Sequence, residues 1–215
     1  MKILWVTFVA IGILMISAPT SIAQTTFVDG KDYTTLHSPI RTTAPDAIEV
    51  RVFFWFGSAP SNQLFKQVSQ WQRNLPDDVS VQYTPVIFPN NQVQMKLDAT
   101  AFYTAELMGM TDNFQPNVYR YIHEQRKTLR TERAWQALFG ELGYDKNQFT
   151  KASRSFVVQA KVRQSLSFTR SANVHELPTI IVAGKYKVTL RSTGGAGNTL
   201  KVLGFLIEKE RRNNK

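Results

Sequence analysis

The sequence predicts an α/β fold with an inserted all-helical subdomain, and three observations carry that prediction. Two apolar, β-branched runs at 48–56 and 79–87 flank a stretch whose apolar residues recur at helical spacing. From about 94 to 168 strand signals give way to helical ones. Strand character then returns at 179–182 and 186–190, ahead of a last amphipathic stretch. The resulting order is β-α-β, helical insertion, β-β-α.

Lys2 precedes an apolar run from Ile3 to Ile16, and small residues at Ser21 and Ala23 occupy the positions a signal peptidase reads. This pattern predicts a secretory signal peptide over 1–23, cleaved after Ala23. A membrane-spanning helix needs about 20 apolar residues, and this run reaches only about 14 before Ser17, Pro19 and Thr20 interrupt it. The mature chain is expected to start at Gln24, without a membrane span, in the periplasm. Its roughly 190 residues suffice for one core, or for a core with an insertion, without disulfide staples.

The first element, Phe27 to Leu36, reads as a short edge strand with a loop behind it, closed by Pro39. The run from Ile48 to Phe56 is too uniformly apolar for a strand with one wet face, which predicts a central strand covered on both sides. Gly57 ends it. From Ala59 to Asn74, the residues Leu64, Phe65, Val68 and Trp71 share a helical face, and Leu75-Pro76-Asp77-Asp78 stops the helix. Val79 to Ile87 reads as the next strand, so the first three elements form a right-handed crossover unit.

Three amphipathic patterns fill the insertion. They are Leu97/Ala101/Leu107/Met108, Val118/Tyr121/Ile122/Leu129 and Phe149/Phe156/Val157/Ala160, punctuated by Gly109, Pro116, Gly140 and Gly143. Residues 179–182 and 186–190, separated by Ala183-Gly184-Lys185, read as a β-hairpin. After the Gly194-to-Gly197 loop, Leu200, Leu203, Leu206 and Ile207 stripe a C-terminal helix, and 211–215 reads as a charged, frayed tail.

The chain contains no cysteine, although an exported protein in an oxidising compartment is permitted disulfides. Its formal charge is +10, or +9 once Lys2 is removed with the leader, and the basic residues are spread along its length. No Arg/Lys cluster interleaved with aromatics points to nucleic acid. The three histidines, His37, His123 and His175, lack any partner at metal-ligand spacing, so no metal site is expected. No Gly-x-Ser-x-Gly elbow is present, and a Ser-His-Asp arrangement would have to be assembled by the fold. The basic stretch Arg126-Lys127-Thr128-Leu129-Arg130 reads as a wet helix face.

Three motifs carry a resemblance. Gly30-Lys31-Asp32-Tyr33-Thr34-Thr35-Leu36 resembles the first strand of the DsbA family. Phe53-Phe54-Trp55-Phe56-Gly57 followed by Ser58-Ala59-Pro60-Ser61 resembles that family's active-site entrance, with Ser58 and Ser61 where the redox cysteines stand. Leu177-Pro178-Thr179, with Ile180-Ile181-Val182 and Gly184-Lys185-Tyr186 behind it, resembles the loop in which a cis-proline lies beside the active site. The resemblance implies a thioredoxin-like domain over 24–93 and 169–215, interrupted by a helical insertion over 94–168.

Two departures bear on activity. Serine has no disulfide chemistry, whereas a thiol at a helix N-terminus is drawn toward the reactive thiolate. The family also places a buried acid immediately before the Phe-Phe pair, and here that position is Val52. The Ala59-Pro60 dipeptide differs as well from the family's common Pro-His.

The resemblance thus implies a catalytic site degenerate at Ser58, Ala59, Pro60, Ser61 and Val52, with no cofactor and no disulfide oxidoreductase activity. What remains is a peptide-binding groove formed by Trp55, Phe56, Ser58, Leu177, Pro178 and Thr179, taking exported or envelope polypeptides as a chaperone or scaffold would. From the residues alone, Ser58 is a helix N-cap and Pro178 a turn proline. A serine at this helix start also resembles the kappa-class glutathione transferases and chromene-carboxylate isomerases, which implies a glutathione-binding alternative. A component of an envelope complex, making contacts through its helices or basic surface, is the third.

Overall fold

The computed structural model describes residues 26–213, so the expected leader and its cleavage after Ala23 lie outside the described residues. One five-stranded sheet organises the described residues. Its strands are β1 (Thr34–Thr35), β2 (Ile48–Phe54), β3 (Val79–Pro85), β4 (Thr179–Val182) and β5 (Tyr186–Thr189), in the spatial order β1-β5-β4-β2-β3. β2 pairs parallel with β3, and the β2–β4, β4–β5 and β5–β1 pairs are antiparallel.

Every residue of β2 is buried, as expected of a central strand, but the run is not uniformly apolar, because Glu49 and Arg51 are buried with it. Arg51 Nε donates to Glu49 Oε1 at 2.8 Å, and the remaining guanidinium nitrogens donate to Thr84 Oγ1 and Thr43 Oγ1. The second Glu49 oxygen accepts from the backbone N–H and hydroxyl of Thr43, and Arg51 stacks over Phe168. Each charge is therefore paired and hydrogen-bonded, the condition under which buried ions persist.

Helix α1 (Ala59–Trp71), extended by a 3₁₀ turn to Asn74, crosses between β2 and β3. The β4–β5 hairpin turns through Ala183 and Gly184, both at positive φ, with Lys185 N–H bonded to Val182 C=O. Two successive left-handed residues match the twist of the flanking strands. A short helix α7 (Leu190–Thr193), capped by Thr189 and absent from the sequence reading, leads into α8 (Ala196–Asn213). The 211–215 tail is not frayed where it is described, because Arg211 forks onto both carboxylate oxygens of Asp78 at 2.5 and 2.6 Å.

Between β3 and β4 the described chain is helical: α2 (Gln92–Leu107), α3 (Thr111–Tyr119) with a π-helical turn over Arg120–Glu124, α4 (Glu132–Glu141), α5 (Lys146–Ser153) and α6 (Phe156–Ser171). Gly140 lies inside α4 without breaking it. The stretch 126–130 is not a wet helix face. Arg126 adopts φ 55°, which ends helical geometry, and Leu129 is buried.

Two apolar clusters result. One joins β2, β4 and β5 to α1 and α8 through Val50, Val52, Leu64, Val68, Ile180 and Leu206. The other runs from Phe53, Phe54 and Phe56 into the helices through Phe102, Phe114, Trp135 and Phe139. The end of β2 is thus packed by the helical part of the chain, which positions the turn that follows.

Candidate functional site

Four residues, 55–58, connect β2 to α1. Ser58 N–H bonds to Trp55 C=O at 3.0 Å, closing the turn, and Asn62 N–H bonds to Ser58 C=O as the first helical link. Ser58 is extended at φ −90°, ψ 113°, and its Oγ accepts from Ser61 N–H at 3.2 Å. It is an N-cap, and Pro60 is tolerated in the first turn because its missing donor has no helical partner there. Gly57 is required by contact, since a Cβ there would collide with the Trp55 indole.

Ser61 is buried, and its Oγ has no hydrogen-bond partner among the described residues. No imidazole or carboxylate hydrogen-bonds either serine among those residues, so no nucleophile–base pair is assembled here. What the helix start offers is the positive end of its dipole and a hydroxyl able to donate.

The register of β2 against β4 sets Phe53 opposite Thr179. The end of β2 and the start of β4 therefore emerge at the same end of the sheet, bringing the 55–58 turn and the Leu177–Pro178 segment to one face. The Leu177–Pro178 bond is cis. Leu177 is half-buried against the larger cluster and Pro178 is buried.

Two side chains expected in the groove lie elsewhere. Phe56 is fully buried, edge-on to Phe54, Phe114 and Tyr119, because the helices cover this end of the sheet. Thr179 is also buried; its backbone pairs within the sheet and its hydroxyl donates to Glu176 C=O at 2.7 Å. Trp55 keeps a partly exposed ring, and Val52 is buried among the apolar residues between sheet, α1 and α8.

The structure adds an acid the sequence reading passed over. Asp98 on α2 accepts from Trp55 Nε1 and from Gln94 Nε2, each at 2.7 Å, and Gln94 also donates to Leu129 C=O. Burial pushes the Asp98 carboxyl up to about 6, against the opposing pull of its hydrogen bonds from Trp55 and Gln94. A cleft of about 380 Å³ opens beside it, bounded by Trp55, Gly57, Ile122, Lys127 and Arg130. His123 Nε2 lies 2.7 Å from Phe56 C=O, and because a carbonyl can only accept, that nitrogen carries the proton. Turn and helices are thus tied by two polar links. Neither shows in the sequence, because each joins residues more than forty positions apart with no motif at either end.

Comparison with known proteins agrees with this geometry. The family model described as the DSBA-like thioredoxin domain matches residues 49–197. The thiol:disulfide interchange protein DsbA of Pseudomonas aeruginosa is 30% identical over 185 residues, covering 86% of each chain. DsbA of Azotobacter vinelandii is 31% identical over 182 residues, covering 85% of this chain and 84% of that one. The crystal structure of Pseudomonas aeruginosa DsbA superimposes with a TM-score of 0.82 at 30% identity, over 87% of this chain and 96% of that one. The DsbA oxidoreductase of Xylella fastidiosa, at 19% identity and a TM-score of 0.79 over 86% of this chain and 98% of that one, shares the fold. With a serine capping the helix where the resemblance puts the first redox cysteine, and a cis-proline segment at the same end of the sheet, this cysteine-free chain belongs to the DsbA-like thioredoxin family of thiol:disulfide interchange proteins.

Proposed function

We propose that this protein is a redox-inactive member of its family, working in the periplasm, that binds extended segments of exported polypeptides as a chaperone or scaffold. The groove runs between the Ser58 helix start and the Leu177–Pro178 segment, with Trp55 at its rim, on a thioredoxin-like body of residues 24–93 and 169–215 that carries the helices of 94–168. One observation carries the reading: the turn, the cap and the cis-proline segment are kept while the chain holds no thiol. A backbone flanking a cis-proline can pair with an extended peptide, which is strand addition and needs no redox chemistry. Phe56 and Thr179 contribute backbone and packing to this groove.

The test is photocrosslinking from a reactive residue at Ala59 in periplasm, with captured proteins identified by mass spectrometry. Recurrent polypeptide partners support the reading, and their loss on substitution of Leu177 by a charged residue ties them to the groove. Absence of any capture, or dithiol oxidation by the purified protein, counts against it. A second reading rests on the Ser58 hydroxyl, whose proton has no acceptor among the described residues and could be donated to a glutathione thiolate at the helix start. Saturable glutathione binding lost in Ser58→Ala supports that alternative, and no binding at millimolar glutathione retires it. The third expectation, an envelope-complex component, is met by one stable partner whose capture does not depend on Leu177.

A further inference from the structure

β3 is an edge strand, and the direction of its backbone groups follows from two hydrogen bonds. Ile48 N–H bonds to Asp78 C=O, and Val86 N–H bonds to Phe54 C=O. Even-numbered residues therefore face β2, and Val79, Val81, Tyr83 and Pro85 point their backbone groups outward. Val79 N–H is taken by Pro76 C=O, and Pro85 C=O by the Ser165 hydroxyl. Between these closures the N–H and C=O of Val81 and Tyr83 have no outward partner among the described residues.

That open stretch is not a bare edge. It lines a cleft of about 620 Å³ between α1 and the α2–α3 corner, within the range of sites that hold ligands. Phe65, Phe102, Phe114 and Met110 form the apolar wall. Gln115 lies in the same lining, is 6% exposed, and its Nε2 has no hydrogen-bond partner among the described residues. A buried amide donor left unpaired is costly, so an acceptor arriving in the cleft would relieve that cost. Arg73 sits on the rim with no acidic partner among the described residues.

We propose that this cleft is a second polypeptide site, where an extended peptide adds as a strand to the outer edge of β3 and sets an acidic side chain against Arg73. Two N–H/C=O pairs two residues apart repeat at about 6.6 Å, the spacing a peptide backbone supplies on alternate residues. The Gln115 amide takes a carbonyl of the same segment. The site lies at the opposite edge of the sheet from β1, on β3 and α1, and does not depend on the Leu177–Pro178 groove.

The probe is acetyl-Thr-Val-Glu-Val-Thr-amide, titrated into the ¹⁵N-labelled protein. Saturable shifts are expected at the backbone amides of Val81 and Tyr83 and at the side-chain amide of Gln115. Val81→Pro removes one outward donor without touching the β2 ladder, as edge strands allow, and should weaken binding about tenfold. Arg73→Gln should reduce the preference for the Glu peptide over its Gln analogue. Peptides N-methylated at alternate residues apply the same test without altering the protein: one methylation phase should abolish the shifts and the other leave them. Shifts that survive both methylation phases, or that reach Gln115 without the edge amides, overturn strand addition. Shifts confined to residues around Ser58 and Leu177 overturn this site while supporting the first groove, and shifts at the β3 edge and Gln115 support this site without bearing on the first.

Discussion

Asp98 is the side chain whose chemistry depends most on where the fold puts it. It is 4% exposed, and its carboxyl stands at about 6 instead of 3.8 because burial disfavours its charge. Between those two values the folded state holds a proton that the unfolded chain has released. Its contribution to stability is therefore full below pH 3.8 and is lost as pH rises through 6, by an amount of order 3 kcal/mol. Asp98→Asn keeps an acceptor for Trp55 and removes the ionisation. Urea denaturation should find the variant more stable than the parent at pH 7, with the difference shrinking toward pH 4. The Arg51–Glu49 pair behaves oppositely to a single substitution. Arg51→Ala leaves Glu49 buried without its cation and should cost about 3–5 kcal/mol in the same assay.

At the level of elements, the helix start at Ser58 is legible, because a cap is a local contract between a side chain and an N–H three residues on. The residues around Ser58 predict a cap, and its Oγ accepts from Ser61 N–H. Ser58→Ala should cost about 1 kcal/mol in thermal or chemical unfolding. The same geometry bears on what a pair of thiols would do here. Cysteines at i and i+3 across a helix start meet the spacing a disulfide requires, so the double variant Ser58→Cys/Ser61→Cys should close a bridge on oxidation. Mass spectrometry after alkylation reads it directly. The thiol placed at 58 should titrate below the free-cysteine value near 8.5, because the helix N-terminus favours its anion. Strand and hairpin identities are likewise legible, from the run at 48–56 and from two strand-like segments separated by Ala183-Gly184-Lys185, whose turn the structure forms with Ala183 and Gly184 at positive φ. The stretch 126–130 was not. Leu129 kept the helical spacing, but a π-helical turn and the positive φ of Arg126 carry it into the core from a loop.

At the scale of the whole molecule, the larger apolar cluster runs without interruption from Phe53 and Phe54 through Phe102 and Phe114 to Trp135 and Phe139. A core shared in this way couples the sheet to the helices inserted between its strands. Sheet and helices should therefore unfold together. A variant retaining Trp135 as its fluorescent reporter and another retaining Trp71 should show the same denaturant midpoint, also matching far-UV circular dichroism. Separate midpoints would mean that the helical part melts on its own. The two polar ties, Trp55 to Asp98 and His123 to Phe56, strengthen that coupling at the candidate site itself.

The order of the strands and main helices, the central strand, the helix start at Ser58 and the absence of cysteine were determined by the sequence alone. Each is written in neighbouring residues: a mostly apolar run, a cap before a helical stripe, or a residue type that is simply missing. The depth of Phe56 and Thr179, the acid facing Trp55 and the open edge of β3 beside Gln115 were decided only in three dimensions. All of them depend on which distant segment packs against which, and burial, pairing and pKa are properties of that packing, with no trace in the local order of residues.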